Sequence, residues 1–69
     1  MASDFDIKKD TKGEYYWVLS AANGEVLCKS TDGYVSKQGC KDSIRIVKDL
    51  APIAPVWDMT GDSPAQVVV

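Results

Sequence analysis

The chain has 69 residues, enough for one small domain, and eight Lys and Arg against ten Asp and Glu leave a net charge of −2. Its 45% apolar content is too high for a disordered segment, and five Gly and three Pro are too few for a fibrous one. No apolar run approaches the roughly 18 residues of a membrane span. Met1-Ala2-Ser3-Asp4 has neither the basic start nor the apolar stretch of an export signal, so a cytoplasmic protein is expected.

In chain order, Phe5 to Lys9 alternates apolar and polar residues, the period of a half-buried strand. Asp10-Thr11-Lys12-Gly13 supplies turn chemistry, and Glu14 to Ser20, rich in aromatic and β-branched residues, predicts a second strand. Ala22-Asn23-Gly24 is a hairpin signal leading into a third strand over Glu25 to Ser30. Thr31-Asp32-Gly33-Tyr34 breaks the sheet, and Ser36 is placed to cap a helix by accepting from an orphaned backbone N–H. Cys40, Ile44, Val47 and Ala51, with Leu50 beside them, form one apolar stripe at helical spacing, and Pro52 ends the helix. Pro55, Gly61 and Pro64 make the remainder less regular. Val56 to Met59 reads as a short strand, and Gln66 to Val69 is β-prone but unframed. The expected fold is α+β in the order β-β-β-α-β, a three- to four-stranded antiparallel meander packed by one helix. One domain over 1–60 is expected, with a tail over 61–69 that is an added strand, a partner-clasping arm or disordered.

The chain contains no histidine, which removes the usual general base, the commonest transition-metal ligand and the physiological pH sensor. Cys28 and Cys40 have eleven residues between them, fit no zinc spacing, and read as reduced cytosolic cysteines buried as small apolar side chains, one on a strand and one on the helix, with a disulfide or a reactive thiol as the alternative. Asp4, Asp6 and Asp10 begin like a calcium loop, but Lys9 and Tyr15 stand where that loop needs Gly and Glu. No phosphate-binding loop, dinucleotide fingerprint or nucleophile elbow is present. The expectation is therefore a protein that is not an enzyme and uses no cofactor and no metal.

In the second strand Tyr15, Trp17 and Leu19 point to one side and Tyr16 and Val18 to the other, with Leu27 in the third strand sharing this two-sided pattern. One helix covers one face, which leaves an apolar face for a second copy of the chain. A chain of this size is marginally stable alone, and with disulfides and metals disfavoured, oligomerisation is the remaining support. A two-fold homodimer follows, with Tyr15, Tyr16, Trp17, Val18 and Leu27 at its interface, joined by Trp57 if the tail exchanges. The competing readings are a ligand platform on the free aromatics and a C-terminal segment folded over its own sheet.

Phe5-Asp6-Ile7-Lys8-Lys9-Asp10, Gly13-Glu14-Tyr15-Tyr16-Trp17-Val18-Leu19 and Ala22-Asn23-Gly24-Glu25-Val26-Leu27, continuing through Ser30, Gly33-Tyr34, Ser36-Lys37, Cys40, Ile44 and Val47-Lys48, resemble the YegP-like family of small, mostly prokaryotic proteins of unassigned function. The resemblance ends near Ala51-Pro52. It carries over no catalytic or binding residues. Because that family occurs with one copy of the unit or two in tandem, the resemblance implies that a single-copy chain forms a homodimer imitating the tandem form.

Lys37, Lys41, Arg45 and Lys48 share a stripe on the predicted helix. Such a stripe is either a solvated, ion-paired face, with Asp42 and Asp49 spaced to pair with Arg45, or a contact for nucleic acid or another anion. The net negative charge favours the first. A non-enzymatic homodimeric interaction module is thus the leading expectation, and an accessory nucleic-acid-binding protein the alternative.

Overall fold

A computed structural model of the chain describes residues 2–69. Strands β1 (Asp4–Lys9), β2 (Tyr15–Ser20) and β3 (Val26–Lys29) form an antiparallel meander with β2 in the centre. The first turn is organised by Asp10, whose carboxylate accepts from the N–H groups of Lys12 and Glu14 at 2.9 Å each. Gly13 there takes φ +85°, a conformation open to glycine with little strain. In the second turn Asn23 accepts from Glu25 N–H at 3.0 Å, and Gly24 takes φ +88°. The Asn-Gly signal thus acts as expected.

Register decides which face of the meander is apolar. Phe5, Ile7 and Lys9 stand opposite Leu19, Trp17 and Tyr15, whereas Asp4, Asp6 and Lys8 stand opposite Ser20, Val18 and Tyr16. The first set makes the apolar face, and helix α1 (Lys37–Leu50) packs on it over β2 and β1. Ser36 caps the helix, its Oγ accepting from Gly39 N–H at 3.0 Å. Cys40 lies in the interface, fully buried. Ser43 sits beside it, donating to the Cys40 carbonyl and accepting from Trp17 Nε1, each at 2.9 Å. At the far end Ala51 N–H still bonds to the Val47 carbonyl before Pro52 stops the helix.

Beyond the helix the expected short strand follows, and the tail over 61–69 supplies the added strand that was one of its readings. Strand β4 (Val56–Asp58) pairs antiparallel with an additional strand, β5 (Ala65–Val67), in a separate two-stranded sheet, so the order is β-β-β-α-β-β and the main sheet keeps three strands. Asp58 shapes the connection, accepting from both the hydroxyl and the N–H of Thr60. Among the described residues this hairpin packs against no other strand or helix. The radius of gyration is accordingly 14.7 Å, against about 11 Å for a compact chain of this length.

Candidate interaction surface

The protomer's buried apolar residues are Trp17, Val18 and Cys40, at 6%, 7% and 0% exposure. This is a thin core for the chain, in keeping with the limited burial open to so small a domain. Trp17 is held by its bond to Ser43 and by the edge of Phe5, ring centroids 5.4 Å apart at 69°. Val18 lies on the opposite face of the sheet. Two of the residues assigned to a dimer interface are therefore already enclosed by the protomer.

The face away from the helix is not the aromatic patch that β2 alone suggests. Strand β1 contributes Asp4, Asp6 and Lys8 to it, and β3 contributes Lys29 opposite Val18. Tyr16 is half-buried on this face, and Tyr15 is half-buried on the helix side. A shallow polar depression of about 310 Å³ next to Tyr16 is lined by Lys29, Ser30 and Asp32. The register with β1 carried this information, since polar residues of one strand must stand beside their cross-strand partners.

The exposed apolar surface lies elsewhere. Strand β3 is an edge, and a register shift between Leu19 and Ser20 pairs Ser20 with Val26, skipping Leu27. Such a bulge leaves one residue out of the ladder. Leu27 is 58% exposed, and Val26 is exposed beside it. The helix approaches β1 and β2 but not β3, which leaves that edge uncovered. Ile46, Leu50 and Ile53 are exposed at the C-terminal end of the helix. On the hairpin Trp57 is 51% exposed, flanked by Val56, Met59 and Val67. Val26, Ile46, Leu50 and Ile53 were not among the expected interface residues. Ile46 lies off the stripe of Cys40, Ile44 and Val47, and that position was the available signal.

The basic stripe is divided by its surroundings. Arg45 donates to Asp42 at 2.8 Å, and Gln38 donates to the same carboxylate oxygen at 3.0 Å. Lys37 turns instead toward Tyr15, its ammonium 5.9 Å from the ring centroid. Lys41 and Lys48 are exposed, and Lys48 stands in the last helical turn, where a cation complements the helix dipole. Both cysteines are free thiols; Cys40 is buried as expected, where desolvation pushes its pKa up, but Cys28 is exposed, because it stands on the edge strand that the helix does not reach. The Thr60 hydroxyl, and after it the Thr60 N–H, holds Asp58 below the usual carboxylate range. Among the described residues no three Cys, Asp or Glu side chains gather as metal ligands, and no helix is long and apolar enough to cross a membrane.

Comparison with known proteins gives a consistent result. The profile of the family described as "Domain of unknown function (DUF1508)" matches residues 10–58. A UPF0339 protein of Neisseria meningitidis serogroup B is 44% identical over 55 residues, spanning 80% of this chain and 96% of that one. A UPF0339 protein of Treponema denticola is 41% identical over 59 residues, spanning 86% and 100%. A UPF0339 protein of Stutzerimonas stutzeri is 38% identical over 75% of this chain, yet the match takes up 46% of its own length. The fold is similar to the NMR solution structure of a protein from Haloferax volcanii, with a TM-score of 0.77, 38% identity, and coverage of 83% of this chain and 95% of that one.

Proposed function

We infer a role for this chain from the premise that it belongs to the DUF1508 family, with which the YegP-like resemblance of its sequence agrees. That role is a non-enzymatic interaction module that works as a homodimer in the cytoplasm. The observation that carries it is the β4–β5 hairpin, which among the described residues packs on no other strand or helix while exposing Trp57, Val56 and Val67. A two-stranded hairpin is marginally stable alone in water and needs a surface to pack on. The uncovered β3 edge, with Val26 and Leu27 exposed, presents unpaired backbone groups and apolar side chains of the kind such an arm requires. The Stutzerimonas stutzeri relative, about half of which this chain matches, has room for a second unit. Reduced cysteines support the cytoplasmic placement.

Light scattering over a wide concentration range tests this reading. A mass of two chains is expected, falling toward one chain when Trp57→Asp or Leu27→Asp places a charge in the interface. A wild-type monomer at every concentration overturns it.

A second reading, contact with nucleic acid, draws on Lys41 and Lys48, which make no ion pair among the described residues. It is weakened by the engagement of Arg45 with Asp42. Binding to short DNA or RNA that falls steeply with salt, and is lost when Lys41 and Lys48 become Glu, is its expected signature.

A further inference from the structure

Lys9 and Lys37 reach the same aromatic ring from different parts of the fold. Lys9 is the cross-strand partner of Tyr15, and its ammonium lies 5.3 Å from the Tyr15 centroid. Its stem runs beside the turn, where Gly13 offers no side chain to obstruct it. Lys37 arrives from the helix, its ammonium 5.9 Å from the same centroid. The approach is fixed by backbone bonds. Tyr15 N–H donates to the Tyr34 carbonyl at 2.8 Å, and Tyr34 N–H donates back to the Tyr15 carbonyl at 2.7 Å. This bridge ties the segment leading into α1 to the start of β2, so two cations and one ring are held together by three segments of chain.

The electrostatics of this corner are one-sided. The ion pair among the described residues is Arg45 with Asp42, so neither Lys9 nor Lys37 has a carboxylate partner. The first turn of α1 carries no acidic residue. Glu14, the nearest carboxylate in sequence to Tyr15, lies instead against Gly33. The shared ring keeps the two ammonium groups within roughly 11 Å of each other, about one Debye length at 0.1 M salt. A protein with net charge −2 thus concentrates unpaired positive charge at one place.

We propose that the Lys9–Tyr15–Lys37 corner is a binding site for the phosphoryl groups of a small anionic molecule. Two separate ammonium groups match a compact polyanion, such as a diphosphate, better than a single carboxylate, because each cation finds its own oxygen. Tyr15 serves as the support that orders both lysines, through the attraction between cations and an aromatic face. The site involves one residue of the basic helix stripe and one of the sheet, a combination distinct from the stripe itself. It sits at the opposite end of α1 from the hairpin, about 20 Å away at the helical rise, so it does not depend on the dimer reading.

Titration of the full chain with inorganic pyrophosphate, followed by amide shifts and with sodium chloride at matched ionic strength as the control, tests the site. Saturable shifts at Tyr15, Lys37 and Gln38 are expected. Lys9→Gln and Lys37→Gln should each weaken binding at least tenfold, while Lys48→Gln should leave it within twofold. Linear shifts shared with chloride overturn the proposal. So does an equal loss in Lys48→Gln, which would mean a diffuse basic face. Circular dichroism of each exposed-lysine variant verifies that a loss of binding is not a loss of fold.

Discussion

Cys40 and Trp17 are joined through Ser43, and this small network shows how one residue stabilises both layers. The Ser43 hydroxyl accepts from the indole N–H and donates to the Cys40 carbonyl, so no buried polar group there is left unpaired. The Cys40 thiol is fully buried, and desolvation raises its pKa. Below the ordinary thiol range both folded and unfolded chains hold the proton, so its contribution to stability is fully present. As pH rises, the unfolded chain ionises first, and stability is lost. Wild type should therefore lose more stability than Cys40→Ala between about pH 8 and about pH 10, measured by urea denaturation at each pH. Equal slopes for the two proteins would refute this. A disulfide reagent should correspondingly titrate one thiol, Cys28, in the native protein and two in urea.

Among the elements, those specified locally are the ones readable from sequence. Gly13 and Gly24 close the hairpins because each turn needs positive φ, and Ser36 starts the helix because its hydroxyl reaches Gly39 N–H. Cys40, Ile44 and Val47 repeat at helical spacing because they share one buried or half-buried stripe. The covered face of the sheet required one further step. Tyr15, Trp17 and Leu19 look no more apolar than Tyr16 and Val18 until the cross-strand partners Phe5 and Ile7 are set against Asp4, Asp6 and Lys8. Strand β4 is legible as the short strand expected over Val56 to Met59, whereas β5 has three residues and follows Gly61 and Pro64, which leave its β-prone segment unframed. Leu27 was named from the sequence as an interface residue. It is exposed together with the rest of β3, because the helix does not reach that edge. The pairing of Lys9 with Lys37 is purely tertiary, since 27 intervening residues separate two lysines that meet on one ring.

At the scale of the whole molecule the extents of 41 × 29 × 21 Å describe a sheet-and-helix body with an arm that packs on no other strand or helix among the described residues. An arm of two three-residue strands makes few backbone bonds and frays readily when nothing covers it. Amide exchange should therefore divide the protein in two. The amides of β2, shielded by β1, β3 and the helix, are expected to be protected by the global stability of the protomer, independent of protein concentration at concentrations where the mass is constant. Those of β4 and β5 are expected to exchange rapidly in dilute solution and to gain protection, by tenfold or more, as the concentration crosses the dimer dissociation constant. Leu27→Asp should keep the arm unprotected throughout while leaving β2 little changed, because that side chain lies on the surface of the protomer. Protection of β4 and β5 that is already full in a demonstrated monomer would mean that the arm is stable by itself, and the proposed reason for dimerisation would be lost.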